Sequence, residues 1–260
     1  MSAKPTQNAR PFDAVIFDLD GTLFDHTHSS IQAMAKLQSM WPELKQFPIG
    51  TLNLAYQRAL NRAYDDYLAN KITYEAKDIE KVRNFFTTLR LPTPSQAEME
   101  RFRDRYKTIY RAAYSTTTHS LETLQRLRIM GITVVILTNG QQKHQEEKAA
   151  ALGILPLVDC LISSEVIGYS KPDSRAFQFV IDMLGYPTDR ILMVGDSARA
   201  DIMGALGVGL SALWYAPESD DDSDFNDELK PESRRVIRSI NEVLYFVTPR
   251  VKYDGNERLH

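Results

Sequence analysis

The segment Asp18-Leu19-Asp20-Gly21-Thr22 sets two carboxylates two residues apart, directly after the apolar run Ala14-Val15-Ile16-Phe17. In an extended chain, residues two apart point to the same side, so both carboxylates face one site. Carboxylates that close repel each other unless a cation lies between them or one of them holds a proton. Either state suits catalysis. Gly21 then lets the chain turn away without a side chain blocking the site. Taken alone, the string also fits an ordinary turn with an acidic rim.

Three further groups supply what such a pair would need. Thr138-Asn139-Gly140 ends a second β-like run, ahead of a helix expected to begin near Gln142. A hydroxyl beside the N–H groups of a helix N-terminus makes a phosphate cradle, although a plain helix cap reads the same way. Lys171-Pro172-Asp173 leads into a helical pattern carrying Phe177 and Val180. Lysine brings a compact positive charge suited to phosphate, and proline can start a helix with φ already set. Gly195-Asp196-Ser197-Ala198-Arg199-Ala200-Asp201 follows another apolar run and places Asp196 and Asp201 five residues apart across a turn. Hard oxygen ligands of this kind suit magnesium. A solvated lysine or a polar loop explains each group alone. Acid, hydroxyl, cation and acid at four strand ends, in that order, is not what unrelated turns supply.

The elements that must hold these groups follow from the apolar runs at 14–17, 132–138, 160–163, 191–194 and 211–214, which read as strands buried on both faces. Helical patterns over about 121–130, 142–152, 174–184 and 199–207 separate them. The alternation predicts an α/β fold, a Rossmann-like, doubly wound parallel sheet. Residues 26–115 break the rhythm, with helices expected over 28–40, 48–69, 75–90 and 95–114 and a capping-box spacing at Ser95 and Glu98. The expected organisation is a disordered tail (1–10), a core (11–25 and 116–260) and an inserted all-helical domain (26–115). The acidic stretch 218–228 reads as an exposed loop, and 233–247 as a terminal helix on the sheet.

Composition narrows the function classes. The 31 basic and 34 acidic side chains give a net charge of −3, which offers no electrostatic reason to bind nucleic acid or a membrane surface. No run approaches the ~18 apolar residues needed to span a bilayer. The single cysteine, Cys160, excludes an intramolecular disulfide and fits a reducing compartment; with no apolar signal-peptide core among residues 1–10, a cytoplasmic location is the default. Nothing in the pattern fixes an oligomeric state. His26 and His28 read as hinge packing, His144 as solvated, Cys160 as a buried thiol, and Trp41 and Trp214 as packing residues.

The four groups match, in order, the motifs of the haloacid dehalogenase superfamily, which the chain resembles over about 11–25 and 116–247. The strings Lys171-Pro172-Asp173 and Asp201-Ile202-Met203-Gly204-Ala205 also look like that family, and the helical insert is similar to the C1-type cap of its nucleotidase and sugar-phosphatase branch. The resemblance implies that Asp18 attacks phosphorus to form an aspartyl-phosphate. Asp20 then protonates the leaving oxygen and later deprotonates the hydrolytic water. It further implies Mg2+ held by Asp18, the backbone carbonyl of Asp20 and Asp196, with Thr138, Asn139 and Lys171 on the phosphoryl oxygens. Asp201 would orient Lys171 or a metal-bound water. The implied partner is a small phosphomonoester, with a nucleoside monophosphate or sugar phosphate favoured. A phosphomutase would use the same motifs. A dehalogenase would attack carbon without a metal, but dehalogenases of this family generally lack the aspartate found here at Asp20. A non-catalytic regulatory module would be expected to have lost the nucleophile or a metal ligand, and none is missing.

Overall fold

A computed structural model of the chain describes residues 10–73, 75–217 and 235–249. Among the described residues, six parallel strands form one sheet: β1 (Ala14–Phe17), β2 (Thr133–Thr138), β3 (Cys160–Ser163), β4 (Ile191–Gly195), β5 (Ser211–Tyr215) and β6 (Val236–Ile237). Their spatial order is β3-β2-β1-β4-β5-β6. The chain lays strands outward from β1 on one side, then returns to lay β4, β5 and β6 on the other. The reversal leaves a crevice beyond the carboxyl ends of β1 and β4, where open α/β sheets bind ligands. Register fixes the heights of the motifs: Phe17 pairs with Ile136 on one side and Val194 on the other. The Asp18 N–H then donates to the Val194 carbonyl at 2.9 Å, so the first acidic residue leaves the sheet beside the fourth strand.

Helices cover the sheet. In chain order after the insert they are α5 (Ser120–Ile129), α6 (Gln142–Ala151), α7 (Ser164–Ile167) and α8 (Ser174–Leu184), then a π-helical turn over Ala198–Met203 that runs into α9 (Gly204–Gly207), and finally α10 (Val243–Val247). One core cluster joins the sheet residues Ile16, Val135, Leu137 and Met193 to Phe177 and Val180 of α8. Packing there is tight enough that a Cβ on Gly204 would lie 2.5 Å from the Phe177 ring.

Residues Asp25–Ser115 form a separate compact unit. It holds α1 (His26–Met40), α2 (Ile49–Leu68), α3 (Lys77–Thr88) and α4 (Gln96–Ala112) around its own core, which includes the aromatic rings of Tyr56, Phe85, Phe86 and Phe102. Ser95 and Glu98 close the capping box that starts α4. The two ends of this unit lie side by side, since the Asp25 N–H donates to the Ser115 carbonyl at 2.9 Å. None of the described helices is long and apolar enough to cross a membrane.

Three sequence expectations need correction. Pro172 does not start α8; the helix begins at Ser174, and the Asp173 carboxylate caps it by accepting the Arg175 N–H at 3.0 Å. The expected terminal helix over 233–247 is interrupted. Val236 and Ile237 pair with Trp214 and Tyr215 as a sixth strand, and helix begins only after Ser239, where a capping box with Glu242 favours it. Arg10, assigned to the tail, is tied down, because Arg190 donates to its carbonyl. Residues 1–9, the acidic stretch 218–228 and residues 233–234 lie outside the described residues.

Candidate active site

Asp18, Lys171 and Asp201 meet at the carboxyl end of β1, all nearly fully buried, with exposures of 7%, 5% and 1%. The Lys171 ammonium lies between the two carboxylates, 2.6 Å from Asp18 Oδ1 and 2.7 Å from Asp201 Oδ1, and also donates to the Leu137 carbonyl at 2.7 Å. Asp201 Oδ2 accepts the Ser197 N–H at 3.0 Å, so both Asp201 oxygens are engaged by protein groups. Asp196 accepts the Thr22 hydroxyl at 3.0 Å, and its carbonyl accepts the Trp214 indole N–H at 2.7 Å. Two glycines make room. A Cβ on Gly21, whose φ is +92°, would run into the Asp196 carboxylate, and one on Gly195 would run into Asp201.

Oxygens from Asp18, Asp196 and Asp201 all lie within 4.8 Å of one another. Three carboxylates against the one ammonium of Lys171 leave this cluster short of positive charge. Burial pushes the Asp18 carboxyl well above its usual range, and the neighbouring carboxylates add to that against the pull of Lys171. Asp196 is raised to about 6, again first by burial and then by Asp201. Burial alone would lower Lys171, but Asp18 and Asp201 outweigh it and hold the ammonium firmly charged. A hard divalent cation fits this donor set and would relieve its repulsion. Asp18 and Asp196 are the suitable side-chain ligands, each with one oxygen committed to Lys171 or Thr22. Asp201 is better placed to hold Lys171, and the Asp20 side chain is not part of the cluster.

The Asp20 carboxylate turns instead toward α6. Its Oδ2 accepts from Gln145 Nε2 at 2.8 Å, and its Oδ1 is paired with Lys148. The Gln145 amide also reaches Thr138 Oγ1 at 3.1 Å and the Asn139 carbonyl at 2.9 Å, tying the first motif to the second. The Asn139 side chain is committed elsewhere: it accepts the Lys171 N–H at 2.9 Å and donates to the Lys171 carbonyl at 3.0 Å. Thr138 is 1% exposed. The α6 N-terminus is partly occupied as well, since the Gln142 N–H donates to Glu165 at 2.9 Å and the Gly140 N–H to Ser164 at 2.9 Å.

Sequence reasoning therefore placed seven residues at these strand ends and missed Gln145, Lys148, Thr22 and Trp214 as their partners. A signal for two of them was present. Gln145, Lys148, Ala149 and Leu152 fall at i, i+3, i+4 and i+7, the buried stripe of an amphipathic helix, and polar residues in such a stripe need a partner. His26, read as hinge packing, sits within the helical unit, with Nδ1 2.5 Å from the Tyr110 hydroxyl and Nε2 2.8 Å from the Gln57 amide.

Comparison with known proteins gives the family. A family model described as haloacid dehalogenase-like hydrolase matches residues 12–209. A ribulose-1,5-bisphosphate 5-phosphatase from Halopiger xanaduensis is 27% identical over 234 residues, covering 88% of this chain and 95% of that protein. An (S)-2-haloacid dehalogenase from Pseudomonas putida is 26% identical over 235 residues, covering 90% and 97%. Among solved structures, a HAD hydrolase from Bacillus subtilis bound to magnesium superposes with a TM-score of 0.71 at 19% identity, covering 91% of this chain and 98% of that one. At that identity the likeness establishes the fold alone.

Proposed function

This chain belongs to the haloacid dehalogenase-like hydrolases, and within that family we propose that it is a magnesium-dependent phosphatase of small phosphomonoesters, working through an aspartyl-phosphate on Asp18. Relatives named for phosphate and for halide chemistry align over nearly the whole chain at similar identity, so overall similarity does not choose between them. The site does. The observation that carries the reading is the second carboxylate, Asp20, held apart from the acidic cluster by Gln145 and Lys148. Attack on carbon needs one nucleophile and then water. Hydrolysis of a phosphate ester also needs an acid for the leaving oxygen, and Asp20 supplies it.

The chain's own residues divide the work. Asp18 attacks phosphorus with one carboxylate oxygen, and the bond from phosphorus to the ester oxygen breaks. Asp20 gives that departing oxygen a proton, releasing an alcohol. It then takes a proton from the water that attacks the phosphorus of the aspartyl-phosphate, which frees phosphate and restores Asp18. Lys171, clamped between Asp18 and Asp201, presents a fixed positive charge to the phosphoryl oxygens without having to reorganise. Thr138 lines the same strand end, and Asn139 acts by setting the backbone that carries Lys171. Asp18, Asp196 and the Asp20 carbonyl would hold magnesium, which would supply positive charge to offset the phosphoryl oxygens and the excess carboxylates. The helical unit, inserted in the sequence between β1 and β2, is the part available to select the leaving group, as a cap.

The test is a panel of nucleoside monophosphates, sugar phosphates, a phosphopeptide and a 2-haloacid, scored for phosphate and halide with and without magnesium. Phosphate from a small ester, only with magnesium, is expected. Halide released faster than phosphate, or a full rate after chelation, would overturn the reading.

A further inference from the structure

Lysine is among the residues least often buried, yet Lys148 is 9% exposed beneath α6. Its ammonium has three N–H bonds and three neighbours. One is Asp20 Oδ1, the second is Gln145 Oε1 at 2.8 Å, and the third is the face of the Phe24 ring, 4.9 Å from its centroid. Burying an ammonium is costly, and an apolar side chain of similar length would pack under the helix at least as well. Stability alone therefore does not account for a lysine here. What it gains is a grip on one particular carboxylate.

We propose that Lys148, together with Gln145, is the positioning residue for the acid/base carboxylate Asp20; the inference rests on the phosphatase reading above. The two side chains stand one turn apart on α6 and take one Asp20 oxygen each, Lys148 on Oδ1 and Gln145 on Oδ2. The Asp20 side chain is 35% exposed and follows a strand end, where it would otherwise be able to rotate. Gripped on both oxygens, the carboxylate keeps one orientation, and each oxygen retains a lone pair for the proton it moves. Gln145 also holds Thr138 and the Asn139 carbonyl, so the orientation of the acid is locked to the strand end that meets the phosphoryl group. Positioning of this kind acts on the rate of proton transfer rather than on substrate or metal binding.

The experiment compares Lys148→Met, Lys148→Arg, Asp20→Asn and the Lys148→Met/Asp20→Asn double variant on an aryl phosphate with an acidic phenol and on an alkyl phosphate, which cannot leave without a proton. Lys148→Met should lower kcat/KM on the alkyl ester by roughly 10²-fold, the worth of general acid catalysis, and far less on the aryl ester. Lys148→Arg should recover most of the loss, the magnesium requirement should stay put, and Lys148→Met should cost nothing further once Asp20 is Asn. Equal losses on both esters, or a full second loss in the Asp20→Asn background, would overturn the proposal. Crystal structures of the wild type and Lys148→Met decide it independently of turnover. Asp20 should leave its wild-type orientation in the variant, and an unmoved Asp20 would overturn the positioning role. If the wild type releases no phosphate from any ester while Asp20 does move, positioning stands and the phosphatase reading falls.

Discussion

Each unit of the molecule buries a lysine against carboxylate, with opposite consequences. In the helical unit, Asp78 meets Lys81 at 3.4 Å and Lys107 at 2.5 Å, two cations on one carboxylate. Burial raises that carboxyl, but the lysines win and hold it at about 2. In the α/β unit, Lys171 faces Asp18 and Asp201, with Asp196 close by, and the Asp18 and Asp196 carboxyls are pushed up. The helical cluster is satisfied and acts as structure. The other is left with negative charge that its own residues do not neutralise, and such a surplus marks a place built for something that arrives.

The largest effect should come from removing each lysine. Lys171→Met leaves two buried carboxylates without their cation, which should cost about 3–5 kcal/mol and abolish turnover. Lys81→Met leaves Asp78 still paired with Lys107 and should cost no more than about 2 kcal/mol. Added magnesium should return part of the Lys171→Met loss and none of the Lys81→Met loss. Chemical denaturation with and without magnesium reads both, and equal losses with no metal effect would erase the contrast.

A smaller effect is expected along the pH axis. Because Asp196 is raised to about 6, its contribution to stability is present below the ordinary carboxylate value near 4 and is lost as pH rises through about 6. Metal-free protein should therefore melt lower at about pH 7.5 than at about pH 5, and magnesium should raise Tm more at the higher pH. Asp196→Asn should flatten that dependence and raise the magnesium needed for half-activity by at least roughly 10–100-fold. A metal-free Tm that climbs across the same window, or an unchanged magnesium requirement, would count against the charge surplus.

The smallest effect separates leftover polarity from useful polarity. The Tyr56 hydroxyl is buried in the helical unit with no hydrogen-bond partner. Tyr56→Phe should leave turnover unchanged and stabilise the protein by about 1 kcal/mol, since an unsatisfied buried hydroxyl is costly. A loss of kcat would mean that this hydroxyl is used.

The strands were legible because each is a short apolar run bounded by polar turns; Ala14–Phe17 and Cys160–Ser163 lie where the sequence places them. The helices of the insert were equally plain, since their apolar spacing is long and their breaks carry prolines or an Asn-Lys pair. The candidate site was readable at strand ends, where acidic and hydroxyl residues interrupt apolar runs. Its support was harder to read. Gln142–Ala151 is polar along most of its length, so the stripe that sets the buried Lys148 apart from the exposed Lys143 rests on Ala149 and Leu152 alone, and it names no partner for the lysine. Asn139 carries the chemistry of a phosphate ligand, but its partner, Lys171, is thirty-two residues away and known only from the fold. The two-residue β6 is too short for alternation to show.

The central claim is that Asp18 carries the phosphoryl group, and trapping it tests this most directly. Enzyme quenched with acid during turnover of a phosphomonoester with magnesium, then reduced with borohydride, converts an acyl phosphate to an alcohol that peptide mass spectrometry can place. Reduction at Asp18 and not at Asp20, absent when magnesium is withheld, is the expected result. Steady release of phosphate with no reducible aspartate, or with the modification on another residue, would contradict the account.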